Sequence, residues 1–180
     1  MRCRGVVVAM VVLCLLGVMV GCQTPADATL CAGQPAREVV VSSQAAQSLS
    51  EKVDAATSDG KQFRLQVTEQ EVSSYLALQV SGGPVSQAVV WFTPQKAYLQ
   101  GQVDMAGKHQ MKGAFSLEVR EGKLALRLLC ATLDDVAMPG LALNTLQQAL
   151  NATLSEYASP YRWDEAQIGD GTVLLVGQKP

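Results

Sequence analysis

The sequence predicts an α+β fold, an antiparallel β-meander packed against amphipathic helices in one domain. Three observations carry this. Between Val85 and Leu133 the apolar residues recur with a period of two in four successive runs, as in strands with one buried face. The runs are joined at Thr93-Pro94-Gln95, Gly107-Lys108 and Glu121-Gly122, connections short enough to make neighbouring strands antiparallel. From Ala142 to Tyr157 the spacing becomes three and four, with Leu143, Leu146, Leu150, Leu154 and Tyr157 on one side of a helix.

The elements follow in chain order. Residues 42–59 lack Gly and Pro, and Ala45, Leu49, Val53 and Ala56 form a thin apolar stripe, predicting a helix with one narrow buried face that Asp59-Gly60 ends. In "KQFRLQVT", Phe63, Leu65 and Val67 alternate with Arg64 and Gln66, a half-buried strand. Thr68 and Glu71 have the spacing of a capping box, so a helix starts there. In the meander, Ala97, Leu99, Gly101, Val103 and Met105 share one face, as do Met111, Phe115, Leu117 and Val119 on the next strand. Leu124, Leu126, Leu128 and Cys130 are expected on one side of the strand after that. Met138-Pro139-Gly140 leads into the helix over 142–157, whose Asn144, Gln147, Gln148 and Asn151 are expected to face water. The chain closes with two strands around Gly169–Gly171.

The N-terminus has a different character. Arg2 and Arg4 precede an uncharged, almost wholly apolar run of 16 residues, Gly5 to Val20, the layout of a secretory signal. A membrane span takes about 20 apolar residues; an uncleaved N-terminal anchor is the alternative. Met19-Val20-Gly21-Cys22 resembles the lipobox of bacterial lipoproteins, with Met19 where leucine is more usual. The resemblance implies cleavage after residue 21 and acylation of Cys22, with palmitate-type chains holding the protein to a membrane. The expected organisation is a lipoprotein signal peptide over 1–21, a lipidated tether over 22–41 rich in small and polar residues, and a folded domain over 42–180.

Removing the signal leaves 12 Lys plus Arg against 16 Asp plus Glu, a net of about −4. That balance argues against nucleic-acid partners and against electrostatic docking on anionic lipid. Cys3 and Cys14 depart with the signal and Cys22 is taken by lipid. Cys31 and Cys130 remain as an even pair in an oxidising compartment, open to a disulfide. Cys130 could equally be a small buried apolar residue. No CxxC or histidine spacing points to a metal, and no cofactor is expected.

The order of elements also carries a family resemblance. A strand feeding "VTEQEVSSYLA", a meander with "QGQV" and "REGKLALRLL", an "MPG" hinge and a final "IGDGTVLLVG" hairpin follow the lipobox. Over residues 61–178 this resembles bacterial YceB-like and LmeA-like proteins of the tubular lipid-binding (TULIP, BPI-like) superfamily. The resemblance implies a highly curved sheet wrapped on a long helix, an apolar groove between them, and a lipid or other apolar small molecule as ligand. It brings no catalytic motif. The implied location is the extracytoplasmic side of the cell membrane or the outer membrane, which Gln23 after Cys22 would permit by the family's sorting rules.

Candidate ligand-lining residues are therefore Leu99, Val103, Met105, Met111, Phe115, Leu117 and Leu126 of the sheet, with Leu143, Leu146 and Leu150 of the helix. Gly101 and Gly113 interrupt the apolar faces and could leave room; Met105, Met111 and Met138 supply adaptable surfaces. The alternative is that these side chains fill one another, making an envelope structural or interaction protein with no groove. Catalysis is not expected. His109 sits alone beside a turn, Asp134-Asp135 reads as a solvated turn pair, and Trp163-Asp164-Glu165 as a packed Trp with a solvated acidic turn. The serines of "EVSSYLA" lie on the polar face of their helix with no base partner, and no nucleophile elbow occurs.

Overall fold

The computed structural model describes Cys31 and residues 33–58, 62–79, 85–104, 107–158 and 160–179. The signal segment, Cys22, Met105 and the side chain of Tyr157 lie outside the described residues. In order, the described elements are α1 (Ser43–Ser58), β1 (Phe63–Thr68), α2 (Glu69–Leu78), β2 (Ser86–Thr93), β3 (Lys96–Asp104), β4 (Lys108–Arg120), β5 (Lys123–Leu133), β6 (Val136–Ala137), α3 (Gly140–Ala158), β7 (Arg162–Ile168) and β8 (Thr172–Gln178). The α+β class and the antiparallel meander are as the sequence pattern indicates. A five-stranded sheet runs β2-β3-β4-β5-β6, and a three-stranded sheet runs β1-β8-β7.

The main core lies where the small sheet, with α1 and α2, packs on one end of the meander. Phe63, Leu65 and Val67 of β1, Trp163 and Ile168 of β7 and Val173 of β8 meet Val90, Phe92, Ala97 and Leu124. Phe63, Tyr161 and Trp163 form an edge-to-face trio with ring centroids 5.3 to 5.8 Å apart. Trp163 is thus a core residue, its indole N–H donated to the Ala158 carbonyl at 3.0 Å.

The start of α2 is fixed locally. Thr68 accepts from the Glu71 amide, and Glu71 accepts from the Thr68 amide at 2.9 Å, closing both halves of the capping box. Glu71 is buried, and burial works against its charge. Lys52, the Thr68 amide and the hydroxyls of Ser48 and Thr68 outweigh this and hold its carboxyl below the usual 4.5. A folded-state value below the unfolded one means stability present above about pH 4.5 and lost as pH falls through the depressed value. Glu71→Gln should therefore flatten the acid limb of the melting-temperature profile and cost about 1 kcal/mol near neutrality. An acid limb as steep as the parent's would contradict this.

Helix side chains bond the outer edge of β2 and the part of β5 that the two-residue β6 leaves unpaired. At β2, the Val90 amide donates to Ser73 Oγ at 2.8 Å, while the Ser73 hydroxyl donates to the Val90 carbonyl at 3.2 Å. The Phe92 amide donates to Glu69 Oε2 at 3.0 Å. At β5, the Leu126 amide donates to Asn151 Oδ1 and the Leu126 carbonyl accepts from Asn151 Nδ2, both at 2.8 Å. The Leu128 amide donates to Gln147 Oε1 at 2.9 Å. Two expectations are corrected here. Gln147 and Asn151 face the sheet edge rather than water, and Ser73 and Ser74, at 0% exposure, belong to the buried side of α2. An open edge would be a template for intermolecular pairing, and the carboxamides occupy it.

Candidate functional site

Strand register sorts the expected lining residues onto one face. Leu99 lies opposite Gly113, Gly101 opposite Met111, Val103 opposite His109, and Ala97 opposite Phe115. Across the next ladder, Met111 faces Leu133, Phe115 faces Leu128, and Leu117 faces Leu126. This inner face also carries the core contacts, so Leu99, Phe115 and Leu117 pack on the main core while remaining partly exposed. Val103 and Leu126 are half-buried as well, and Met111 is buried at 7% exposure.

From the other side, α3 runs along β5. Leu154 packs on the core, and on the same helical stripe Leu143, Leu146 and Leu150 stay half-buried. Just before them, Leu141 is 74% exposed and Val136 is 70% exposed. The stripe thus grades from packed to wet away from the small sheet. The two glycines behave differently. A Cβ at Gly113 would find only ordinary contacts, whereas one at Gly101 would fall 2.3 Å from Val85 Cγ1. The space at Gly101 is already filled by Val85, so only Gly113 leaves room.

One expected face assignment is corrected. Ala114 pairs with Cys130 but Phe115 pairs with Leu128, leaving Leu129 as an extra residue in β5. This bulge turns Cys130 away from Leu124, Leu126 and Leu128 to the outer face, because one inserted residue inverts every later position.

On that outer face Cys130 forms a disulfide with Cys31, beside Trp91, Tyr98 and Ala114. Residues 33–41, expected within a loose tether, are instead laid across the sheet as a strap. Gln34 donates to Gln100 Oε1 at 3.0 Å, the Trp91 indole N–H donates to the Arg37 carbonyl at 2.8 Å, and the Ser42 amide donates to Ser74 Oγ at 3.0 Å. Arg37 grips both Glu69 oxygens at 2.7 and 2.8 Å, reaches Asp170 at 2.8 Å, and also donates to the Phe92 carbonyl. The strap covers one part of the outer face and leaves a cleft of about 370 Å³ beside it. Glu38, Val39, Gln87, Val89, Trp91, Gln100, Gln102 and Gln110 line that cleft together with Gly101. Its only mark in the sequence is the alternation of glutamines with the inward residues of "LQGQV".

The acidic turn has a structural task. Asp134 and Asp135 take left-handed backbone angles, φ 49 and 64, between β5 and β6. Asp134 Oδ2 lies 2.6 Å from His109 Nδ1, and its Oδ1 accepts the Gln110 amide at 2.8 Å. These two contacts, His109 first, hold the Asp134 carboxyl below its usual range. Lys112 pairs with Asp135 at 2.6 Å. Among the described residues no three His, Cys, Asp or Glu converge as a metal ion would require, and no helix is long and apolar enough to cross a membrane. No family model, curated protein or solved structure matches the chain.

Proposed function

We propose that the protein is a membrane-anchored extracytoplasmic lipoprotein that holds a lipid or other apolar ligand between the inner sheet face and α3. The observation that carries this reading is the incomplete burial of the lining. Leu99, Val103, Phe115, Leu117 and Leu126 of the sheet and Leu143, Leu146 and Leu150 of the helix beside β5 are all only partly buried. A filled core would withdraw them from water, at roughly 25 cal/mol for each Å² removed. Apolar side chains left partly exposed on a sheet face and on the helix beside it are what a ligand groove or an interaction site would use. The lipobox at Cys22 and the resemblance to tubular lipid-binding proteins support the membrane anchor and the ligand class. The protein acts here as a binder, without catalysis, at the cell membrane or outer membrane.

The test uses the chain secreted with Cys22→Ser, so that no acyl group of its own competes. A fluorescent long-chain fatty acid should bind saturably, and native mass spectra should carry co-purified lipid. Leu146→Asp places a charge in the stripe and should weaken uptake by at least about tenfold. Absence of both uptake and co-purified lipid would favour the structural or interaction protein instead.

A further inference from the structure

The outer-face cleft is chemically unlike the inner face. Its floor is a patch of carboxamides on three adjacent strands. Gln102 of β3 stands directly opposite Gln110 of β4, Gln100 occupies the neighbouring position on the same face, and Gln87 comes from β2. Gln100 is bonded to Gln34 of the strap. Among the described residues, the side chains of Gln87, Gln102 and Gln110 make no hydrogen bond to protein. Gln87 also has a left-handed backbone, φ 52, where the register slips between Ser86 and Val89. Left-handed non-glycine residues and bulges concentrate where a side chain has been re-aimed for use.

We propose that this cleft binds a neutral saccharide, presented as a free oligosaccharide or as the head of a glycolipid. A carboxamide offers both a donor and an acceptor, which matches hydroxyl and acetamido groups that do the same. Glu38 is the sole charged residue among those lining the cleft, so an anionic ligand finds no counter-charge there, and its carboxylate can accept from a sugar hydroxyl. An apolar ligand would strip water from three unbonded amides without replacing their partners. Peptide addition to the sheet is unavailable there, because β3 and β4 are interior strands whose ladders are already paired on both sides. Trp91 adds an aromatic surface whose N–H is already taken by Arg37. Trp91 is itself buried at 7% exposure, so it contributes an apolar edge to the cleft and leaves recognition to the carboxamides. A cleft of about 370 Å³ is within the size range of small-ligand sites.

The probes are chitotriose, cellotriose, and phosphatidylcholine vesicles with and without monogalactosyl diacylglycerol, each presented to the Cys22→Ser chain. Saturable binding of a trisaccharide, or binding to the galactolipid vesicles alone, is expected. Gln102→Ala and Gln110→Ala should each weaken it by about tenfold without lowering the melting temperature. Leu146→Asp on the inner face should leave it intact, which separates this site from the apolar groove. Binding that both glutamine variants leave unchanged overturns the proposal. So does the absence of binding to every saccharide probe at millimolar concentration, or a preference for bare phosphatidylcholine.

Discussion

Replacing Cys31 with alanine is expected to destabilise the protein by about 4 kcal/mol, the largest effect of any single change considered. The disulfide joins residues 99 apart, and closing a loop of that length removes much of the freedom of the unfolded chain. The native side adds less, because both sulfurs are already buried, at 6% and 1% exposure of their residues. Urea denaturation should show a lower midpoint together with a steeper dependence on denaturant, since the uncrosslinked unfolded chain expands further. A reducing agent should reproduce the shift in the parent and do nothing to the variant. A loss below about 1 kcal/mol would mean that Arg37 and Trp91 hold the strap unaided, and that the cross-link constrains little.

The second large effect is expected at Ser73. Its hydroxyl bonds both the amide and the carbonyl of Val90, and the two residues are 0% and 2% exposed. Ser73→Ala removes one oxygen and strands two backbone groups that water cannot reach, at about 3 kcal/mol in total. Ser74 is the natural comparison. It is equally buried, but among the described residues its side chain takes a single bond, from the Ser42 amide. Ser74→Ala should cost about 1 kcal/mol. Equal losses at the two positions would show that packing, rather than the orphaned edge of β2, governs this contact. Thermal or urea melts of the two variants decide it.

What could be read from the sequence was what depends on near neighbours. The capping box needs only Thr68 and Glu71 three residues apart, and the alternation of Phe63, Leu65 and Val67 needs only a regular strand. The shared face of Leu99, Val103, Met111, Phe115, Leu117 and Leu126 follows from the same rule, because no irregularity intervenes among them. Cys130 escaped because the bulge at Leu129 is set by pairing with β4 and leaves no mark in the local pattern. Gln147 and Asn151 escaped for a different reason. A carboxamide bonding a strand edge and one bonding water belong to the same polar helix face, and only the position of β5 distinguishes them. Ser73 and Ser74 combine small volume with polarity, so burial depends on what packs over them. The partial burial of Leu99, Phe115, Leu143, Leu146 and Leu150 is likewise set by how α3 and the sheet pack, which periodicity does not encode.

The bond at Cys130 also determines how the molecule carries tension. A pull on the chain ahead of Cys31 does not peel the strap away residue by residue. It passes through sulfur into β5, which is paired along β4 on one side and bonded to α3 on the other. The hydrogen bonds of Arg37 and Trp91 lie outside that load path. A force applied through the chain ahead of Cys31 is thus borne by an interior strand of the largest sheet, and the strap remains slack.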